Sequence, residues 1–414
     1  MKNVVIIGGG IIGLSTAYYL VKDGHKVTVI DQSDMTSGSS FVNAGYITPS
    51  HFIPLAAPGI ISKGIKYMFD KTSPFYMKPR LDLDFFKWTW NFKKSATKSK
   101  VEKAIPVLKD INILSRELYK EIKQSSDFNF SFDQKGLLMC YKTDKAGEEE
   151  MAVAKLAVDQ GLNAQNLSLK EIEKLEPNVQ LDVKGAVFYD CDAHMTPEEY
   201  MGELLSFLKS NGVVFYTNEK VVDLELKQNK VSKVITDKRS LNTDEIVVSA
   251  GSWSPIVTKK LGLKIPIQAG KGYRINVNRE TGISIPAILS EAKVAVTPMN
   301  GFTRFAGTME IGGINHNINP IRVKTIANAA EDYYKKLKFE KLELDAAACG
   351  LRPCTPDGLP YIGRPLNYKN IIVATGHAMM GWSLGPATGK LVSEVISEQK
   401  ISLDLSPFHP NRKF

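Results

Sequence analysis

The chain has 414 residues, 43% of them hydrophobic, which is enough for two cores and too long for one ordinary α/β domain. The formal net charge of +9 comes from lysines spread along the whole length, which argues against a dedicated nucleic-acid surface and leaves open an anionic substrate or an anionic lipid surface. No apolar stretch reaches the length of a membrane span, and Cys140, Cys191, Cys349 and Cys354 show neither a CxxC pair nor histidines at zinc spacing, so neither a disulfide framework nor a metal centre is expected.

Val4-Val5-Ile6-Ile7 reads as a short buried strand, followed directly by Gly8-Gly9-Gly10-Ile11-Ile12-Gly13 and a helix through Val21. This is G-x-G-x-x-G in the context that binds a dinucleotide. Gly8 permits the tight turn, Gly10 lets backbone approach a pyrophosphate, Gly13 lets the helix press on the sheet, and the helix start at Ile11 and Ile12 offers N–H groups to phosphate. Gly24 caps the helix, and a second strand, Lys26 to Ile30, delivers Asp31 eighteen positions after Gly13, where an acid can take ribose hydroxyls; Gln32 follows it. An acid there disfavours a 2′-phosphate, so FAD or NAD is expected before NADP. Because the motif starts at residue 4, no secretory leader is expected and the protein should stay in the cytoplasm.

Residues 36–59 are rich in Ser, Gly, Ala and Pro and lack periodicity. Ser39, Ser40, Asn43, Ala44 and Gly45 are therefore assigned to a loop that contacts the cofactor. From 60 to 94, lysines such as Lys63, Lys87, Lys93 and Lys94 alternate with Phe85, Phe86, Trp88, Trp90 and other aromatics. Such a segment either rests on anionic lipid, placing the protein peripherally on the inner face of the membrane, or packs its aromatic side on the substrate lobe with the lysines solvated. Leu108, Ile111, Leu114, Leu118 and Ile122 predict an amphipathic helix over 107–122 that covers a sheet. Thr196-Pro197-Glu198-Glu199 predicts a capping box and a helix to about Lys209. Strands are expected over 213–217, 221–226 and 231–236, with Val221 on the cofactor side, and then a buried strand that ends on Ala250 and Gly251 ahead of Trp253, a site of close approach to a nucleotide.

The C-terminal blocks Gly350-Leu351-Arg352-Pro353, Thr355-Pro356-Asp357-Gly358, Thr375-Gly376-His377 and Gly381-Trp382 come last, with Ser40-Phe41-Val42-Asn43-Ala44-Gly45 and Ala56-Ala57-Pro58-Gly59 at the other end. Together with the glycine motif they resemble the D-amino-acid oxidase and glycine oxidase superfamily of FAD enzymes, and within it the D-amino-acid dehydrogenase branch of the small-subunit type, over essentially the whole chain. The resemblance implies an α/β fold: a discontinuous Rossmann-type FAD domain (1–85, 180–255 and 345–414) and an α+β substrate domain on a mixed or antiparallel sheet (86–179 and 256–344).

It also implies noncovalent FAD, contacted by Gly376, His377, Met379, Met380, Gly381 and Trp382, with the helix after Gly381 aimed at the flavin's pyrimidine carbonyl. Cys349 and Cys354 lie near where some flavin amine oxidases attach the cofactor, but packing is the expected role of both. Arg352 is the expected clamp for a substrate carboxylate and also touches the flavin; Tyr273 either assists it or is a core residue, and His377 is expected to be a contact rather than a base. The expected activity is FAD-dependent oxidative deamination of a D-amino acid by hydride transfer from Cα, giving an imine and then a 2-oxo acid and ammonia. A cyclic imino acid such as D-proline or D-hydroxyproline is the close competitor. An NAD-dependent dehydrogenase and an electron-transfer flavoprotein subunit that needs partner proteins are alternatives of other classes. The 60–94 segment tilts the electron acceptor toward a membrane quinone rather than oxygen.

Overall fold

The β-branched run near the N-terminus becomes the centre of a six-stranded sheet. In the computed structural model, which describes residues 1–58, 73–78 and 80–414, Asn3–Ile7 pairs in parallel with Lys26–Ile30 on one side and Glu245–Val248 on the other. The full order is Val214–Tyr216, Lys26–Ile30, Asn3–Ile7, Glu245–Val248, Ile371–Thr375 and Tyr361–Gly363, and only the last strand is antiparallel. Strands covered on both faces need apolar residues at every position, which is why these segments are nearly unbroken runs of Val and Ile.

The helix Ile11–Lys22 lies against the helix Gly385–Ile396. Contact is close because small residues four apart face it: a Cβ at Gly389 would sit 2.5 Å from the Ser15 carbonyl carbon, and one at Gly385 2.8 Å from Ile11 Cγ1. A third helix, Lys98–Gln124, is longer than the 107–122 expected and carries Pro106 in its interior. The proline forfeits one backbone hydrogen bond, but Ala104, Ile105 and Leu108 bury the same face on both sides of it, so packing carries the helix through. That helix packs on the C-terminal segment: Tyr119 Oη donates to the Trp382 carbonyl at 2.7 Å, and Ser383 Oγ to Asn112 Oδ1 at 2.8 Å.

The second sheet has nine strands. It runs Ala348–Cys354, Gln268–Val277, Phe302–Ile311, Val294–Met299, Ala287–Leu289, Leu137–Tyr141, Gly185–Tyr189 and Ala164–Ser168, with Phe75–Met77 also on Phe302–Ile311. Pairing is antiparallel except for Ala287–Leu289 with Leu137–Tyr141 and Phe75–Met77 with Phe302–Ile311, so the sheet is mixed. Its core gathers Tyr273, Ile275, Phe305 and Ile326, with the helix Pro320–Tyr333 packed over Phe302–Ile311.

Three strands cross the expected domain boundaries: Phe75–Met77, Gly185–Tyr189 and Ala348–Cys354 all belong to the nine-stranded sheet. Strand pairing is set by long-range contacts, which the order of segments along the chain does not reveal. The capping box at Thr196 does not form. Thr196 Oγ1 instead accepts from the Asn300 N–H at 2.9 Å and Glu199 accepts from the Ser131 N–H at 2.8 Å, so both side chains tie neighbouring loops to the helix Pro197–Ser210. Of the 60–94 segment, residues 60–72 and 79 lie outside the described residues. The helix Leu83–Ser95 packs one aromatic side inward: Phe85, Trp88 and Phe92 are buried near Met309 and Cys354, while Leu83, Phe86 and Trp90 are exposed.

Candidate active site

A cavity of about 1180 Å³ runs from the turn after the first strand to the nine-stranded sheet. Gly8, Gly9, Gly10, Ile11 and Ile12 form one end of its wall. Gly8 adopts φ +110°, and a Cβ there would strike the Ser249 carbonyl oxygen at 2.6 Å, so only glycine serves. Gly13 faces inward: a Cβ would lie 1.9 Å from the Gly8 carbonyl oxygen, which is the close helix–sheet packing its motif position demands. Gly10 is different, because a Cβ there would meet only Ser40 Oγ, at 3.4 Å. Within the protein nothing requires glycine at Gly10; what a side chain would fill is the space in front of the helix N-terminus. That cradle fits a pyrophosphate.

The surroundings suit the rest of a dinucleotide. Asp31 and Gln32 line the cavity, and the Asp31 carboxylate accepts from the Gly9 N–H at 2.7 Å and from the Ser33 N–H and hydroxyl at 2.8 and 2.7 Å. Ser40 Oγ accepts from the Ile11 N–H at 3.0 Å, directly at the helix start. Ser39 grips the backbone of Leu351, accepting from its N–H and donating to its carbonyl, both at 2.9 Å, and so locks the cofactor loop onto the strand that carries Arg352. Val221, Ala250, Gly251 and Trp253 line the same wall, and the Trp253 ring stacks on His316 with centroids 5.8 Å apart.

Further along are Asn43, Ala44, Met379, Met380, Gly381 and Trp382. Gly45 and Gly376 lie behind the wall: Cβ atoms there would sit 2.2 Å from the Met195 carbonyl oxygen and 2.5 Å from Thr355 Cγ2, so both glycines shape loops through close packing. The helix expected right after Gly381 starts only at Gly385, preceded by a single 3₁₀ turn, Ala378–Met380.

Arg352 stands on the strand Ala348–Cys354 and lines the cavity. Its Nη1 donates to the Thr308 carbonyl at 2.7 Å. Gly272 on the neighbouring strand makes room, since a Cβ there would lie 2.2 Å from Nη1. Burial pulls the guanidinium below its ordinary pKa, and among the described residues no carboxylate pairs with it. A guanidinium shielded from bulk water, held by one hydrogen bond and facing a cavity, can bind a planar anion through its free donors.

Tyr273 also borders the cavity but is committed elsewhere. Successive strand residues alternate faces, so Tyr273 turns away from the Gly272 side and packs in the core of the nine-stranded sheet. Its hydroxyl donates to Glu310 at 3.0 Å, and that carboxylate also meets Lys271 and Arg322 at 3.5 and 3.2 Å. The phenol is thus engaged by Glu310. His377 is buried, hydrogen-bonded through Nε2 to Thr388 Oγ1 at 2.9 Å, and pushed by burial down to about 3, so it stays neutral and is a poor base. All four cysteines are buried free thiols; burial raises Cys349, and it pushes Cys354 up to about 12. Such thiols hold little of the thiolate that chemistry at sulfur needs.

Thr308 and His51 are among the wall residues that escaped sequence reasoning. Thr308, beside Arg352, has φ +61°, a costly conformation for a β-branched residue, and its buried hydroxyl has no hydrogen-bond partner among the described residues. Local sequence carries no signal for that. His51 also lines the cavity, and its place in the Ser-Pro-rich loop was the only hint.

The model of the DAO family, described as FAD dependent oxidoreductase, matches residues 3–395. A D-amino acid dehydrogenase of Helicobacter pylori is 33% identical over 397 residues, 95% of this chain and 94% of that protein. One from Vibrio vulnificus (strain YJ016) is 32% identical over 419 residues, 97% of this chain and 99% of its own length. Among solved structures, glycine oxidase from Geobacillus kaustophilus superposes with a TM-score of 0.79 at 20% identity, covering 100% of this chain and 99% of that one. L-proline dehydrogenase from P. horikoshii gives 0.74 at 20%, covering 99% and 97%. The second pair speaks to the fold, and the cradle at Gly10, the acid at Asp31 and the full-length match together place the sequence: the chain belongs to the DAO family of FAD-dependent oxidoreductases.

Proposed function

We propose that this protein oxidises a D-amino acid, removing a hydride from Cα and giving an imine that water converts to a 2-oxo acid and ammonia. The observation that carries the reading is Arg352, a largely enclosed cation on the wall of the cofactor cavity with no carboxylate partner among the described residues. FAD, held by the Gly8–Gly13 turn, Asp31 and the Ser39–Ser40 loop, supplies the acceptor for the hydride. Arg352 binds the substrate carboxylate, with Thr308 fixing the guanidinium from behind. The apolar wall from Ile53, Leu55, Ala57, Phe75 and Met309 excludes water and holds the side chain. Positioning does most of the work, so the site needs no acid–base pair at Cα. A cyclic imino acid would use the same clamp and the same hydride geometry. It is the second reading.

Electrons leave to a membrane quinone in this scheme. Leu81, Leu83, Phe86 and Trp90 are exposed beside Lys87, Lys93 and Lys94, and Lys93 and Lys94 both lie 5.8 Å from the Trp90 ring. Aromatic and apolar side chains interleaved with lysines suit a peripheral seat on anionic lipid. No helix among the described residues is long and apolar enough to cross a membrane. An anaerobic absorption titration tests the reading: a panel of D-amino acids, L-amino acids and proline isomers is added to the purified flavoprotein. Bleaching of the flavin band by D-amino acids is expected. Bleaching by L-amino acids alone, or by none, would sink it.

A further inference from the structure

The mechanism above leaves a proton unassigned, because an amino acid arrives at neutral pH as its ammonium form and only the free amine can give up a hydride. A hydrogen-bonded chain beside the cavity uses none of the residues already given a role. The strand Tyr46–Ile47 pairs with Ala193–Met195, Ile47 opposite Ala193, and this brings the following loop against Asp192. There Ser50 N–H and Oγ donate to the two oxygens of the Asp192 carboxylate, at 3.0 and 2.5 Å. His51 Nδ1 lies 2.9 Å from Ser50 Oγ. Since the Ser50 proton points to Asp192, its oxygen accepts from Nδ1–H. That tautomer leaves Nε2 of His51 with a lone pair, and Nε2 makes no hydrogen bond among the described residues, on a side chain that lines the cavity.

We propose that His51, with Ser50 and Asp192 behind it, takes the ammonium proton of the amino acid bound at Arg352; this rests on the amino-acid reading above. The transfer balances. The N–H bond of the ammonium breaks and a proton joins Nε2 of His51; the Nδ1 proton passes to Ser50 Oγ, and the Ser50 proton passes to Asp192. The imidazole ends neutral, Asp192 ends as a carboxylic acid, and the substrate nitrogen ends as a free amine. No oxidant takes part, since the hydride leaves separately.

Burial of Asp192 narrows the gap in proton affinity that the transfer must cross. Asp192 is fully buried, and desolvation pushes it up to about 7, so a proton arriving there relieves a buried charge. Desolvation also lowers His51 to about 4, so the imidazole relays the proton and does not keep it. The other groups facing the pair are few. Lys293 acts on His51; Arg116 and the Cys191 thiol act on Asp192, whose charge is also felt at Tyr46 and Tyr189. The loop is pinned, with Thr48 N–H on Ser383 Oγ at 3.1 Å and His51 N–H on the Thr48 carbonyl at 3.0 Å, so the histidine is held in place before substrate arrives.

The test uses the FAD-loaded enzyme and 2-aminoisobutyrate, an amino acid with no Cα hydrogen to lose. At pH 8, infrared difference spectra should show a protonated carboxylic-acid band on binding, absent from Asp192→Asn. In stopped flow with an oxidisable D-amino acid, His51→Gln should slow flavin reduction about 100-fold at neutral pH and recover at alkaline pH, where the amine is already free. Ser50→Ala should do the same with the histidine intact. Binding without the band, or a loss in both variants that is equal at every pH, overturns the relay while the amino-acid reading stands. A wild-type protein that no amino acid bleaches, and that 2-aminoisobutyrate does not bind, overturns both.

Discussion

Replacing Arg352 with Ala removes the guanidinium that the cavity presents to an anion. Its Nη1 is already anchored on the Thr308 carbonyl at 2.7 Å, and the Gly272 backbone lies flat against the guanidinium, so the free donors are oriented before a ligand arrives and little ordering entropy is lost on binding. Truncating one partner of a buried, hydrogen-bonded charge pair, which is what the arginine and a bound carboxylate would form, costs about 2–5 kcal/mol. At tenfold per ~1.4 kcal/mol, substrate affinity should fall roughly 30- to 4000-fold. Folding should suffer little, because the variant also relieves the desolvation of a cation that no carboxylate neutralises among the described residues. The assay is an anaerobic titration of the flavin band with a D-amino acid and with its carboxamide. Wild type should discriminate strongly against the amide, and Arg352→Ala should bind the two alike while keeping its FAD. An affinity for the acid within threefold of wild type, or discrimination that survives the substitution, would remove Arg352 from the carboxylate site.

Gly10→Val should lower the flavin-to-protein absorbance ratio with the fold intact, because its side chain meets only Ser40 Oγ at 3.4 Å before it enters the cradle; Gly13→Ala, 1.9 Å from a carbonyl oxygen, should instead lose thermal stability, and the reverse pattern would contradict both assignments. Burial holds His51, His194 and His377 at about 4, 4 and 3, all below the ordinary 6.5. Groups whose folded pKa is depressed bind protons first in the unfolded chain, so stability is full above pH ~6.5 and falls as pH drops, by about 2 kcal/mol per histidine at pH 5. Asp192, raised to about 7, pulls the other way. Urea unfolding of His377→Asn should show a smaller loss between pH 7 and pH 5 than wild type, and an equal loss would show that His377 is not the neutral buried group described. Trp90→Ser combined with Lys93→Glu and Lys94→Glu should weaken sedimentation with anionic phosphatidylglycerol vesicles by at least about 30-fold, since each lysine near such a surface is worth about 1 kcal/mol; unchanged sedimentation would end the membrane reading.

The cofactor end of the protein was legible without a structure because its determinants are local. A strand, a glycine turn, a helix and an acid all fall within Val4 to Asp31, and each glycine does there what its spacing demands, from the φ +110° turn at Gly8 to the 1.9 Å contact behind Gly13. Backbone geometry at such a turn is dictated by the few residues that make it, so it survives in sequence. Arg352 was also visible, through the Gly-Leu-Arg-Pro block that resembles the superfamily, though only the folded chain shows that it lacks a carboxylate partner among the described residues.

What the tertiary structure alone decided is which segments share a sheet and which way side chains face. Phe75–Met77, Gly185–Tyr189 and Ala348–Cys354 join one sheet across three of the four boundaries that chain order suggested, because strand pairs form wherever apolar faces meet in space. Tyr273 reads as a site residue along the chain, yet one step of strand alternation commits its hydroxyl to Glu310. His51 has an ordinary place in a loop; it acquires Asp192 only because two short strands bring residues far apart in sequence within hydrogen-bond reach through Ser50. Sequence by itself determined a dinucleotide site, since turn chemistry acts over short range, while the choice of FAD and of Arg352 as candidate clamp came from the blocks that resemble the superfamily. The partners of each buried charge were decided by the fold, since burial and pairing are properties of the surroundings and not of the residue.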